Sequence, residues 1–213
     1  MRLRPDVPVG LAVALFSALA KADVPLAETS HPVPVVELDS LQYGAAFTAE
    51  TRVASGGACP KGESAPCILN SGGGIALRVG HRSQRGLYLG GAYEFSKHDS
   101  SNLLNLAILQ QLRGEARRYL MSGERVAPYA LAGLGVAAYG NEWSVDTWGA
   151  VGTVGIGVEY EVTREVFVGF VPAYRVFVLR SWQDKAGQDR PGGIAQFLGL
   201  ELTLEVRSVF ERW

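Results

Sequence analysis

IAQFLGLELTLEVR, at residues 194–207, alternates strictly between two kinds of side chain. One set of alternate positions is apolar and is interrupted only by Gln196: Ile194, Leu198, Leu200, Leu202, Leu204 and Val206. The other set holds small or charged residues apart from Phe197. Successive side chains of a β-strand point to opposite faces of a sheet, whereas a helix would scatter these leucines around its circumference. The segment therefore predicts one long strand with a single apolar face.

The N-terminus has the order of features found in a secretory signal peptide. Arg2 and Arg4 precede an apolar run at residues 9–20, and Ala20-Lys21-Ala22 fits a cleavage site. The run is too short to cross a bilayer as a helix. We predict a signal peptide at residues 1–22, a proline-containing periplasmic lead-in at residues 23–40, and a barrel at residues 41–213.

Composition narrows the class of protein. The 20 basic and 21 acidic residues give a net charge of -1, so no basic excess indicates nucleic-acid binding. Beyond the N-terminus no apolar stretch reaches the roughly 18 residues of a transmembrane helix. The 26 glycines and the scarcity of helical periodicity favour an all-β chain. No cofactor or metal site is predicted.

Weaker alternation elsewhere predicts seven further strands. They lie near residues 41–53, 74–82, 86–96, 103–120, 127–139, 148–162 and 165–180. Short links at 83–85, 122–125 and 163–164 alternate with longer ones at 54–73, 97–102, 140–147 and 181–193. An even number of strands with turns at one end and loops at the other is typical of small membrane barrels. Pro172, inside the seventh strand, predicts a bulge.

The second face of these strands carries charges of both signs among glycines and alanines. The predicted interior charges are Arg78, Glu94, Arg113, Glu115, Arg117, Glu159, Glu161, Arg175, Glu201 and Glu205. Side chains fill the interior of a narrow barrel, and buried charges there need opposite partners. We therefore expect a salt-bridged interior and an apolar face toward lipid. The alternative is a soluble periplasmic β-barrel that turns the leucine row inward around a small apolar ligand.

Two motifs carry a resemblance to a known class. GVEYEV at residues 157–162 and PYALAGLG at 128–135, with the strand–loop alternation and the signal peptide, resemble small outer-membrane β-barrel proteins of Gram-negative bacteria. The resemblance covers residues 41–213 and implies an antiparallel up-and-down transmembrane β-barrel of about eight strands, surrounded by outer-membrane lipid. Trp213 resembles the C-terminal aromatic residue that the barrel assembly machinery reads, although the apolar phase leads to Phe210 instead.

The resemblance implies a structural or surface-interaction role without catalysis, and the sequence names no partner for the loops. A narrow channel for small solutes is the alternative role. Cys59 and Cys67 both lie in the first long link, and an exported chain meets an oxidising compartment, so we predict a disulfide between them that stiffens an exposed, external loop.

His81, Ser83 and Glu94 define a third alternative. They resemble the His-x-Ser and Glu arrangement of outer-membrane lipid A deacylases, in which His accepts the Ser proton and Glu orients the imidazole. However, Glu94 lies in the predicted interior phase and His81 in the opposite one. The sequence therefore favours a non-enzymatic barrel over a lipid-modifying hydrolase.

Overall fold

The computed structural model describes residues 39–54, 59, 67–101, 104–121, 124–183, 187 and 189–209. The predicted signal peptide, nearly all of the lead-in, and Phe210 and Trp213 lie outside this part of the chain. Eight long strands of 11 to 17 residues dominate it. They are β1 (Ser40–Ala54), β2 (Gly72–Arg82), β3 (Leu87–His98), β4 (Ala107–Tyr119), β5 (Val126–Asn141), β6 (Thr147–Glu161), β7 (Val166–Leu179) and β10 (Gly193–Val209). Two short strands, β8 (Trp182–Gln183) and β9 (Asp189–Arg190), pair within one loop.

The long strands close into one antiparallel barrel in the order β1-β10-β7-β6-β5-β4-β3-β2. Every strand pairs with its chain neighbour, and β1 pairs with both β2 and β10, so the sheet has no free edge. The predicted up-and-down barrel is therefore confirmed. No helix in the described residues is long and apolar enough to cross a membrane.

The two ends of the barrel differ in the length of their connections. Residues 83–86, 120–125 and 162–165 join strands at one end, which we call the turn end. Residues 55–71, 99–106, 142–146 and 180–192 join them at the other, the loop end. The short connections are closed by backbone hydrogen bonds, such as that from the Gly86 N–H to the Ser83 carbonyl at 3.0 Å.

The leucine row of β10 faces away from the barrel axis. Leu198 and Leu202 are each 55% exposed, whereas Glu201 and Phe197 on the opposite face are fully buried. The same outward apolar face recurs around the barrel, for example at Leu77 and Val154. The alternative of a soluble barrel with the leucines inside is therefore wrong.

Two glutamines interrupt the outward apolar face, and each is bound by a tyrosine of the neighbouring strand. The Tyr93 hydroxyl donates to Gln110 Oε1 at 2.9 Å, and the Tyr174 hydroxyl donates to Gln196 Oε1. Both contacts are diagonal cross-strand pairs, within reach of an aromatic side chain. The hydrogen bonds reduce the cost of placing an amide on an apolar surface, which explains the break at Gln196.

The fourth strand begins later than the sequence predicted. β4 starts at Ala107 rather than near residue 103, and Leu104 packs against the apolar core at the loop end. The Ser100 hydroxyl hydrogen-bonds to both the carbonyl and the N–H of Leu104, each at 3.2 Å, which closes a local turn. Because this turn takes the place of a first strand segment, the predicted start of the fourth strand near residue 103 is wrong.

Pro172 does not create the predicted bulge. The β7–β10 ladder runs through the Pro172–Leu200 pair without a shift, and the β6–β7 ladder keeps one register on both sides of the proline. The pairing with β6 is only interrupted, between Gly155–Ala173 and Val158–Phe170. Proline has no N–H to donate, so the ladder loses hydrogen bonds without gaining a residue.

Candidate functional site

The middle of the barrel interior is filled by paired charges. This ionic layer consists of Glu50, Arg78, Arg82, Glu94, Arg113, Glu115, Arg117, Glu159, Arg175, Glu201 and Glu205. Each is at most 4% exposed. The alternation of β-strands places these residues inside because their apolar neighbours point outward. Buried charges are stable only when they are paired and hydrogen-bonded, and each of these side chains forms a salt bridge within the layer.

Arg175 and Arg113 hold the centre of the ionic layer. Arg175 Nη1 lies 2.7 Å from Glu94, and the same guanidinium also contacts Glu50 and Glu201. Arg113 lies 2.7 Å from the other oxygen of Glu94 and 2.8 Å from Glu115. The Glu94 carboxylate thus bridges two guanidinium groups from β4 and β7. The network therefore ties strands on opposite sides of the barrel together.

Toward the turn end the network continues through Arg117 and Glu159. Arg117 donates two hydrogen bonds to Glu205, at 2.8 and 2.9 Å, in the bidentate geometry that suits a guanidinium and a carboxylate. Glu159 accepts from Arg82 at 2.9 Å and from the Tyr119 hydroxyl at 2.6 Å.

A tyrosine layer closes the interior at the turn end. Tyr88, Tyr119 and Tyr129 are buried there with Ala127, Leu131 and Val171. The Arg82 guanidinium carbon lies 3.5 Å from the centre of the Tyr119 ring, and that of Arg117 lies 4.6 Å from the centre of the Tyr88 ring. These cation–π contacts join the ionic and tyrosine layers.

An apolar mouth layer fills the loop end. Its members are Ile68, Leu69, Ala107, Leu109, Ala137, Tyr139, Val151, Phe177, Leu179, Ala195 and Phe197. The rings of Phe177 and Phe197 meet edge to face with centroids 5.5 Å apart. Most of these side chains come from strands, but Ile68 and Leu69 belong to the loop between β1 and β2. That loop therefore folds back into the barrel.

Hydrogen bonds hold the inserted loop in the mouth. His98 Nδ1 lies 2.8 Å from the Asn70 carbonyl oxygen, and the Tyr139 hydroxyl donates to the Ile68 carbonyl. The Asn70 N–H donates to the Asp99 carbonyl at 3.0 Å. Cys59 and Cys67 form the predicted disulfide in the same loop. The sequence predicts an external loop around the disulfide, but residues 68 and 69 of this loop are buried in the mouth layer.

The structure places the predicted interior charges as follows. Nine of them are buried in the ionic layer: Arg78, Glu94, Arg113, Glu115, Arg117, Glu159, Arg175, Glu201 and Glu205. Glu161 lies in the same phase at the turn end of β6 but is only half-buried. Sequence reasoning missed Glu50, Arg82 and His98. Glu50 shares its phase with Gln42, Ala46 and Thr48, and that pattern in β1 was the available signal.

The structure does not bring His81, Ser83 and Glu94 together. His81 pairs with Leu89 on β3 and points outward, and Glu94 is five residues further along that strand. Five residues of a strand span about 17 Å. The two carboxylate oxygens of Glu94 are bound to Arg113 and Arg175. Glu94 therefore cannot orient the His81 imidazole in this arrangement.

A second serine and histidine do meet, inside the barrel. Ser96 Oγ lies 3.1 Å from His98 Nε2, which is also 3.1 Å from Glu50. The other ring nitrogen binds a backbone carbonyl, and all three side chains are buried. Because this site is closed off from bulk solvent, its geometry is that of a buried hydrogen-bonded cluster. Among the described residues, no three His, Cys, Asp or Glu side chains cluster as metal ligands.

Comparison with solved structures finds small outer-membrane barrels. The solid-state NMR structure of the outer membrane protein AlkL, determined in lipid bilayers, has a TM-score of 0.51 at 10% identity over 88% of this chain and 99% of that one. Neisserial surface protein A gives 0.49 at 20% identity, covering 81% and 97%. OprG of Pseudomonas aeruginosa gives 0.46 at 13%, also covering 81% and 97%.

No protein-family model and no curated protein matches the sequence. The likeness to AlkL, at this identity, concerns the fold alone. It agrees with the closed order of the strands and with the outward-facing apolar side chains. The chain therefore has the fold of the small, eight-stranded outer-membrane β-barrel proteins.

Proposed function

We propose that this protein is an outer-membrane barrel that carries a structured loop surface, and that it neither conducts solutes nor catalyses a reaction. The observation that supports this proposal is the filled interior, in which the mouth, ionic and tyrosine layers follow one another from the loop end to the turn end. A barrel packed in this way has a rigid body whose interior is occupied by side chains. Its variable part is the loop end.

The outer surface supports a location in a lipid bilayer. Large apolar side chains such as Phe47, Leu134 and Ile156 are at least 66% exposed along the strands. A continuous apolar surface of this kind is unfavourable in water and suits the hydrocarbon region of a membrane. The signal peptide at residues 1–22 would direct the chain out of the cytoplasm, and the loop end would then face the cell exterior.

The loop end offers groups for contact with a partner. Trp143 is 78% exposed and Val145 is 56% exposed at the tip of the β5–β6 hairpin. The Trp143 ring packs against Phe95 with centroids 5.7 Å apart, so its position is defined. Exposed apolar side chains on a positioned loop are typical of an interaction surface. The chemistry on this loop does not identify the partner.

A narrow solute channel is the second candidate function. The predicted interior charges could line a pore if they were separated by water. Their contacts are instead direct, as between Arg117 and Glu205, and residues 68 and 69 close the mouth. These contacts favour the structural role.

The proposal is tested by membrane fractionation and surface labelling. Cys59→Ser and Cys67→Ser remove the native disulfide cysteines, and a single cysteine is then placed at Val145 on a loop or at Thr163 in a short turn. We expect a heat-modifiable protein in the outer membrane, and labelling of intact cells by an impermeant thiol reagent only at position 145. A soluble product, or labelling only at position 163, would contradict the proposal.

Export and assembly are tested separately. N-terminal sequencing of the mature protein is expected to begin at Asp23. Deletion of Trp213 is expected to lower the amount of heat-modifiable barrel if the barrel assembly machinery reads that residue. An unchanged yield would show that the assembly machinery does not read Trp213 and would favour another residue, such as Phe210.

A further inference from the structure

A row of glycines crosses the outer face of the barrel. Gly91 on β3 pairs with Gly114 on β4, Gly114 pairs with Leu134 on β5, and Leu134 pairs with Gly152 on β6. All four positions belong to the outward phase of their strands. Leu134 is 77% exposed and stands between two positions without a side chain. The row therefore leaves depressions on both sides of Leu134.

The barrel itself does not require glycine at these positions. A Cβ atom at Gly91 or Gly114 would find its nearest neighbour at 3.9 Å, and one at Gly152 would find it at 3.6 Å. These are ordinary contact distances. At Gly135, on the inner face of β5, a Cβ would instead lie 2.5 Å from the Cα atom of Arg113. The three glycines of the outer row therefore determine the shape of the outer surface and are not required by the packing within the barrel.

Three members of the outer row, Gly114, Leu134 and Gly152, line an apolar groove, which we call the outer groove. It has a volume of about 770 Å³ and extends from β3 to β7. Its walls include Leu89, Ala116, Ala132, Val154, Tyr174 and Val176. The groove lies on the surface that faces hydrocarbon, so acyl chains are the groups that fit it chemically.

Cations stand at the loop-end edge of this face. The Arg180 N–H donates to the Trp148 carbonyl at 3.2 Å, and the Arg180 guanidinium lies 3.9 Å from the centre of the Trp148 ring. Trp148 is four residues before Gly152 on β6, about 13 Å along the strand. Lys97 is exposed at the same end of β3. Within the described part of the chain, neither cation has a carboxylate in salt-bridge contact.

We propose that the outer groove and its cationic edge bind a phosphorylated, multiply acylated lipid of the lipid A type. Its acyl chains lie in the groove, and its phosphates meet Arg180 and Lys97. Arginine binds phosphate through paired N–H donors, and lysine binds it as a point charge. The inference rests on the proposed location in the outer membrane.

A second copy of this chain fits the same face less well than an anionic lipid does. Two barrels inserted in the same direction would meet with their loop ends level. Each would then bring its own Lys97 and Arg180 to the edge of the contact, and like charges at one height repel. An anionic headgroup is complementary to that edge.

The test is lipid binding measured by native mass spectrometry on the purified, folded protein in detergent. The probes are bis-phosphorylated lipid A and the same lipid with its phosphates removed. Gly114→Leu with Gly152→Leu fills the groove, and Lys97→Gln with Arg180→Gln removes the edge charges. Ala49→Leu, on the outward face of β1, and Arg164→Gln, in an exposed turn, are the matched controls.

We expect the wild-type protein to bind the phosphorylated lipid at least tenfold more tightly than the dephosphorylated one. The groove-filled variant should lose at least tenfold for both lipids, the charge variant should lose the preference for phosphate, and both controls should stay within twofold. Equal binding of the two lipids by the wild type, or full binding by the groove-filled variant, would overturn the inference. A wild-type dimer that the groove-filled variant loses would assign the groove to a second copy instead.

Fractionation and labelling keep this outcome distinct from a failure of the proposed function. A heat-modifiable outer-membrane protein without lipid selectivity overturns the lipid site alone. A soluble product removes the location on which the lipid site depends.

Discussion

The ionic layer and the mouth layer both fill the barrel, but they are built from different parts of the chain. Every member of the ionic layer is a strand residue, and contacts such as Arg175–Glu50 join residues 125 positions apart. The mouth layer is completed by Ile68 and Leu69, which a loop supplies. The ionic layer can open only if the strands separate, whereas the mouth layer can open by movement of one loop.

This difference predicts two kinds of response to mutation. Damage to the ionic layer should affect the whole barrel because its charges join distant strands. Damage to the mouth layer should be smaller and more local, since neighbouring loop residues can relax.

Arg175→Met removes the guanidinium that contacts Glu50, Glu94 and Glu201. Three buried carboxylates then lose a partner, and breaking a buried ion pair costs about 3–5 kcal/mol. We expect a loss of that size in the free energy of unfolding, measured in urea by the loss of heat-modifiable migration. Arg164→Met in an exposed turn is the control. A loss below about 1 kcal/mol would contradict the structural role of the ionic layer.

Leu69→Ala shortens a side chain that is 1% exposed in the mouth layer. Removing buried methyl groups costs about 2–5 kcal/mol, and a site that can collapse lies at the lower end. We expect the free energy of unfolding to fall by about 2 kcal/mol in the same urea titration. Leu120→Ala, at a residue that is 69% exposed, should change the value by less than about 0.5 kcal/mol. Equal effects of the two substitutions would show that the loop does not occupy the mouth.

Gly135→Ala tests the close packing behind the ionic layer. The added Cβ would lie 2.5 Å from the Cα atom of Arg113. We expect about 1–2 kcal/mol of destabilisation, because overpacking forces the surrounding backbone to shift. Gly114→Ala, which adds the same atom on the outer face at 3.9 Å from its nearest neighbour, is the matched control and should be neutral. A neutral Gly135→Ala would contradict the close approach of β4 and β5 at this position.

Reduction of the Cys59–Cys67 disulfide should have the smallest global effect. The bond closes a short loop, and its contribution to chain entropy is below about 3 kcal/mol and confined to the ordering of that loop. We expect unchanged global unfolding but faster hydrogen exchange at the Asn70 N–H, which donates to the Asp99 carbonyl. The Ala76 amide, within β2, serves as the internal control. Global unfolding on reduction would contradict this prediction, because it would show that the stability of the whole barrel depends on the mouth layer.

The barrel and most of its interior charges follow from the two-residue period of the strands. In β10 the alternation is strong, so the sequence alone assigns Leu202 and Glu201 to opposite faces of the strand. In β1 it is weak, since small residues such as Gly44 and Ala45 occupy both faces. Glu50 was missed for that reason.

The pairing of those charges could not be predicted. Whether Arg175 meets Glu50, Glu94 or Glu201 depends on the relative heights of four strands around the closed barrel. The insertion of Ile68 and Leu69 differs from the prediction because cysteines in a long link of an exported chain indicate an external loop and do not show that the loop folds back into the barrel. An apolar dipeptide in such a loop was the available signal.

The bulge that the sequence predicts at Pro172 is also absent. A proline does disturb a ladder, because it has no N–H to donate. A strand can absorb that loss by omitting pairs, as between β6 and β7, without inserting a residue. The choice between an interruption and a bulge depends on neighbouring strands that the local sequence does not describe.

Single-channel recording in a planar lipid bilayer tests the filled interior most directly. The purified, heat-modifiable protein is inserted into the bilayer, and a general porin in the same preparation confirms that insertion is detected. We expect no discrete conductance steps from the wild-type protein, because the ionic layer spans the interior with direct Arg–Glu contacts. Reproducible steps that depend on protein concentration would contradict a filled barrel and would favour the solute channel.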